Sequence, residues 1–195
     1  LLLKSSGSIR HFSKVNFKGL TLMSMDAQIV ESLRDQFADQ ILDVVEFRGD
    51  TTVFVAPSAI VELCQYLRDH DSFAFNLLAA LTAVDHYPSE PRFNIVYQLY
   101  SLENKIFFAL KVPLRSDAAE IPTVEGVFPN ANWHEREVFD MFGVKFKGHS
   151  DLRRILMPQD WEGHPLRKDF PLGYEEIQFS FNFDEIDKRK PYAKE

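Results

Sequence analysis

The sequence predicts an α+β fold: an antiparallel or mixed sheet with helices packed on one face, followed by a long extended C-terminal tail. Three observations lead there. Helical and strand periodicities follow one another in the order αββα and then a run of further strands. From Lys145 onward that periodicity fades and Pro158, Pro165, Pro171 and Pro191 punctuate the chain. The composition is that of a chain with a core: 45% of residues are hydrophobic and 18 of the 195 are Phe.

The first helix is expected over 26–40, with Asp26 as N-cap and Ile29, Val30, Leu33 and Phe37 on one face. LDVVEF and TTVFVA then flank Arg48-Gly49-Asp50, which predicts a hairpin. Pro57-Ser58 opens a second helix, with Ser58 as cap and Ile60, Val61, Leu63, Cys64 and Leu67 inward, ending near His70. Residues 75–86 read as a buried strand. Residues 93–102 and 105–112 read as a second hairpin turning at Glu103-Asn104. Residues 121–128 suggest a short helix and 132–142 a firm one. Asn132 as N-cap places Glu135 at the capping-box position, and Arg136 and Asp140 are spaced to pair. Gly143 suits the left-handed position that ends a helix.

The domain organisation expected is a leader or artefactual segment at 1–24, an α+β domain at 25–144 and a partner-binding tail at 145–195. The leader holds Lys4, Arg10, Lys14 and Lys18 with serines and no acid, a composition shared by presequences.

Charge and cysteine usage narrow the chemistry. A formal charge of −7 without a basic stripe argues against nucleic-acid binding. One cysteine, Cys64, excludes an internal disulfide and a self-contained iron–sulfur cluster. The eight glycines form neither GxGxxG nor GxxxxGK[ST], so no standard loop holds NAD, flavin or ATP. The six histidines show no tight ligand spacing; His164 is expected to bond within the tail. Asp85-His86 ends a strand and permits an acid–base reading, but no nucleophile elbow accompanies it.

The stretch GHPLRKDFPL, 163–172, is the most informative. Pro165 and Pro171 hold His164 and Phe170 extended, so the strip loses little entropy on docking. Leu166, Phe170 and Leu172 are anchors, Arg167 offers a fork for a carboxylate, and Lys168 and Asp169 are free to pair elsewhere. Beyond it Ile177, Phe179, Phe181 and Phe183 alternate with polar residues, an extended edge that must lie on something.

Taken together, ERE-VF-DMFG at 135–143, RILMPQDW at 154–161 and GHPLRKDFP at 163–171 resemble the signature of one family: the bacterial C-subunit, or mitochondrial 30-kDa subunit, of NADH–quinone oxidoreductase, respiratory complex I. LTAVDHYP at 81–88 is also similar to that family. The resemblance implies a cofactor-free scaffold in the peripheral arm of a proton-translocating complex, with FMN, iron–sulfur clusters and quinone held by partner subunits. It implies contacts to the large quinone-pocket subunit and to neighbouring cluster-bearing subunits, and no active site in this chain. The implied contact residues are Glu135, Arg136, Glu137, Asp140, Arg153, His164, Pro165, Leu166, Arg167, Lys168, Asp169, Phe170 and Pro171. The implied location is the cytoplasmic side of the cell membrane, or the matrix side of the mitochondrial inner membrane, reached through partners. Two rivals are a related membrane hydrogenase or quinone-linked dehydrogenase subunit, and a free-standing hydrolytic enzyme using Asp85 and His86.

Overall fold

A computed structural model describes residues 24–171, 181 and 183–188. Helix α1 (Met25–Phe37) leads through a 3-10 turn into the hairpin β1 (Ile41–Phe47) and β2 (Asp50–Val55). Helix α2 (Ile60–Asp69), β3 (Leu77–Asp85), β4 (Phe93–Ser101) and β5 (Ile106–Leu114) follow. A small parallel pair, β6 (Glu120–Pro122) and β7 (Lys145–Lys147), brackets α3 (Ala131–Phe142), and α4 (Phe183–Asp187) is a short turn of helix.

The five long strands lie in the order β1-β2-β5-β4-β3. Every neighbouring pair is antiparallel except β2 and β5. The crossover through α2, β3 and β4 brings β5 back beside β2, which makes the sheet mixed. Burial alternates along β4, where Phe93, Ile95, Tyr97, Leu99 and Ser101 are buried, as a pleated strand with one covered face requires. Phe93, Ile95, Tyr97 and Leu99 form one core with Ile29 and Leu33 of α1, Leu63, Cys64 and Leu67 of α2, and Val138, Met141 and Phe142 of α3. The three helices therefore share one face of the sheet, and the other face is open: Val45, Phe47 and Phe107 are all more than 40% exposed.

Several local expectations are corrected. Ser24, not Asp26, caps α1, its Oγ accepting from the Ala27 N–H at 3.3 Å. Ser58 does not cap α2; a 3-10 turn over Pro57–Ala59 precedes it. Residues 121–128 are no helix, because Ile121 pairs with Phe146 in the small sheet and a turn follows. Helix α3 begins one residue early, at Ala131, and neither Asn130 nor Asn132 caps it with a side chain. Phe183 begins α4, so the extended edge does not continue there; Phe181 and Phe183 are 84% and 52% exposed. Ile177 and Phe179 lie outside the described residues.

Candidate functional site

The predicted contact residues gather on and beside α3, and they are joined to the sheet by charge. Asp85 ends β3 and Arg92 precedes β4, a placement fixed by the β3–β4 pairing that sets Asp85 beside Phe93. Asp85 Oδ1 and Oδ2 accept from Arg92 Nε and Nη2 at 3.0 and 2.9 Å, a bidentate pair with 2% and 9% side-chain exposure. The far side of the same guanidinium donates to both oxygens of Asp169, Nη1 at 3.0 Å from Oδ2. Asp85 also accepts the Lys168 and Tyr87 N–H groups, each at 2.9 Å. Burial alone would raise the Asp85 carboxyl, but Arg92 and the two backbone donors hold it down at about 2. The hydrogen bonds from Arg92 likewise lower Asp169.

Arg167 completes the junction differently from expectation. Its Nε donates to the Phe142 carbonyl at the end of α3, not to a carboxylate, and its guanidinium lies 5.5 Å from the centroid of Phe93. A cation on a terminal helix carbonyl satisfies an orphan acceptor and meets the negative end of the helix dipole. His164 also bonds to the helix rather than within the tail: its Nδ1 is 2.9 Å from the Asp140 carbonyl oxygen, so that nitrogen carries the proton. Burial pushes the His164 pKa down. The Leu166 N–H donates to the Met141 carbonyl at 3.1 Å. Gly143, at φ 74°, makes this seating possible, since a Cβ there would stand 2.5 Å from both Arg167 Nη2 and the His164 ring.

Within the ERE-VF-DMFG motif the acids have separate duties. Glu135, fully buried, accepts from Thr123 Oγ1 and from the Val124 N–H at 2.8 Å, joining α3 to the loop after β6 in place of a capping box. Burial pushes its carboxyl up to about 6, against the pull of those two donors. Asp140 does not pair with Arg136. It accepts three successive N–H groups, from Ile155, Leu156 and Met157 at 2.8–3.1 Å, and Arg154 Nη1 at 2.6 Å. Arg136 donates instead to the Arg153 and Arg154 carbonyls at 3.0 and 3.2 Å. Arg153 turns outward to Asp151, while Arg154 turns in; adjacent residues of an extended chain point opposite ways. Sequence reading chose the first of that Arg pair and missed the second. It also missed Arg92, whose role depends on a partner 77 positions away.

The segment from Lys145 to Pro171 thus lies on the domain. Facing outward beside it are Trp133 (60% exposed), stacked on Arg136 at 5.3 Å, Leu156 (60%) and Leu166 (54%), with exposed Glu137 and Lys168. Asp85 and His86 do not form an acid–base pair, because Asp85 is committed to Arg92 and His86 Nε2 sits 3.0 Å from Asn94 Nδ2. Cys64 is fully buried, and burial raises its thiol pKa. Among the described residues no group of three or more His, Cys, Asp or Glu side chains could hold a metal ion.

The family model described as respiratory-chain NADH dehydrogenase, 30 Kd subunit, matches residues 53–176, from within β2 through β5, α3 and the strip. The chain belongs to this family. It is 51% identical over 174 residues to the NADH-quinone oxidoreductase C-subunit of Roseiflexus sp. (strain RS-1), covering 89% of this chain and all of the relative. It is 49% identical over 151 residues to the same subunit of Geobacter sulfurreducens, covering 77% and 92%. Among solved structures it is similar to a trypsin-resistant fragment (1–134) of Nqo5, with a TM-score of 0.54, 28% identity and coverage of 64% and 97%. It is also similar to a chain of an archaeal membrane-bound sulfane sulfur reductase, with a TM-score of 0.63, 26% identity and coverage of 83% and 89%. This family member is a subunit of an NADH–quinone oxidoreductase, and its partners are other subunits of that complex. No helix among the described residues is long and apolar enough to cross a membrane.

Proposed function

We propose that this chain is a non-catalytic, cofactor-free scaffold of the peripheral arm, holding the subunits that carry flavin, iron–sulfur clusters and quinone at fixed separations. The observation that carries the reading is the division of labour in the strip. Its inward polar groups are bonded to α3 and the sheet, while Trp133, Leu156 and Leu166 stand exposed on that rigid support. A prefixed Trp beside an Arg is the composition of a binding hot spot, because little side-chain entropy remains to be lost. The titratable groups that chemistry would need are occupied structurally: Asp85 by Arg92, Asp140 by the 154–157 loop, Glu135 by Thr123 and Val124. The large quinone-pocket subunit is the partner that this face is proposed to meet, with the cluster-bearing subunits adjacent, on the cytoplasmic side of the cell membrane. The contact set we propose differs from the one the resemblance implied. Glu135, Asp140, Arg167 and Asp169 shape the support; Trp133, Glu137, Leu156, Leu166 and Lys168 are proposed to touch the partner.

The test is Trp133→Ala with Leu166→Ala in the intact complex. The fraction of purified complex retaining the chain should fall, each lost hot spot being worth about 2 kcal/mol of binding, while the isolated chain keeps its unfolding midpoint. Unchanged retention would overturn the reading.

A further inference from the structure

The two edges of the sheet are finished differently, and the difference identifies a second contact. At one edge, β3 is contacted by its own chain at two points: Asn130 Nδ2 donates to the Leu78 carbonyl at 2.8 Å, and the Lys168 N–H donates to the Asp85 side chain at the strand's end. At the other edge, β1 pairs with β2 and, among the described residues, with nothing else. An unpaired strand is a row of backbone donors and acceptors, which proteins ordinarily blunt with charged side chains, above all lysine, with proline, with bulges or with a short length. β1 carries one register irregularity, at Ile41–Asp43, and is regular from Asp43 to Phe47. β1 has seven residues, ILDVVEF, with neither lysine nor proline. Leu42, Val45 and Phe47 are 55%, 41% and 66% exposed along it. The Val44 N–H is taken at 2.8 Å by the carboxylate of Asp43, a side-chain acceptor serving where a neighbouring strand's carbonyl would. The charge along the strand is mostly acidic: Asp39, Asp43, Glu46 and Asp50 are exposed, while Arg48 is folded over its own neighbour, the Phe47 ring, at 5.1 Å and Lys111 lies over Phe54 of β2.

We infer that β1 is a docking edge that takes an extended segment of a neighbouring subunit as a sixth strand, one in which basic residues alternate with apolar ones. Backbone pairing supplies the attraction, exposed Leu42, Val45 and Phe47 supply apolar contact, and the four carboxylates select the charge. A second copy of this chain is disfavoured as occupant, since pairing two β1 edges sets each row of acids against the other. The inference rests on the chain being a subunit of a larger complex, but not on the strip around Trp133, which lies by α3.

Amide hydrogen exchange over residues 38–50 tests it, comparing the full chain alone with the same chain in the purified complex. Alone, the β1 amides directed away from β2, apart from that of Val44 with its Asp43 acceptor, should exchange freely. In the complex they should slow at least about tenfold, the factor that 1.4 kcal/mol of pairing supplies. Val45→Lys with Glu46→Lys should remove that slowing while β2 and β5 keep theirs. Equal exchange alone and in the complex, slowing that survives the double substitution, or protection that rises with concentration of the isolated chain would each overturn the inference. An unprotected β1 in a complex that still contains the chain leaves the scaffold reading standing. Loss of the chain on Trp133 and Leu166 substitution, with β1 protected in whatever complex remains, supports both.

Discussion

The covered edge of the sheet and the bare one obey the same rule about backbone polar groups and resolve it in opposite ways. At β3 the chain returns from far downstream to the strand's end, where a salt bridge between Asp85, Arg92 and Asp169 holds it. At β1 nothing in the described chain returns. The first edge is therefore part of the domain's stability, and the second is available to a neighbour. Substitutions at the two edges should separate accordingly.

The largest effect should come from Arg92→Ala. It leaves the Asp85 carboxylate buried without its counter-ion, which typically costs about 3–5 kcal/mol; urea unfolding of the isolated chain measures it. If the loss were below about 1 kcal/mol, this ion pair would not be holding the strip. Arg167→Ala should also destabilise the isolated chain, because its Nε donates to the Phe142 carbonyl at the end of α3.

Next is Gly143→Ala. The positive φ and the 2.5 Å approach to Arg167 and His164 should cost about 1–3 kcal/mol. Because the strain falls where the strip docks, limited proteolysis should cut first between 145 and 171, with the β1–β2 hairpin spared.

Acid should dissolve the β3 closure through a defined window. Asp85 is held at about 2 in the folded chain, below its unfolded value near 4, so its contribution is complete above pH ~4 and disappears as pH falls toward 2. About 2–3 kcal/mol is at stake. Glu135 has the opposite sign. Its folded value of about 6 lies above the unfolded one, so stability falls as pH rises from about 4.5 to about 6, by about 2 kcal/mol, and then levels. A stability–pH curve that keeps the upper decline in Glu135→Gln would refute that assignment.

The smallest effect belongs to the bare edge. Val45→Lys with Glu46→Lys should alter the isolated chain's stability by no more than about 0.5 kcal/mol, since both side chains are exposed. A large loss in isolation would mean that β1 is core, not edge.

Much of the fold was legible because it rests on local spacing. The hairpin through Arg48-Gly49, the strands at 93–101 and 106–114, and the apolar faces of α1, α2 and α3 all follow from periodicity that neighbouring residues enforce. Gly143 was legible as a helix stop because only a left-handed residue fits there. The errors fell where a distant partner prevailed over a local one. Glu135 abandons its cap position for Val124, Arg136 passes over Asp140 for two carbonyls of the returning chain, and Ile121 joins β7 instead of turning into a helix.

By itself, then, the sequence determined the α+β class, the order of elements as far as β5, the scarcity of cofactor motifs and the motif run that marks the family, all properties of residues near one another along the chain. Only the tertiary structure decided that β5 lies beside β2, that Asp169 meets Arg92, and that the proline-stiffened strip turns its inward groups to its own domain while β1, among the described residues, pairs with β2 alone. Those outcomes join residues dozens of positions apart, and an ion pair or a strand neighbour at that separation leaves no periodic trace in the sequence.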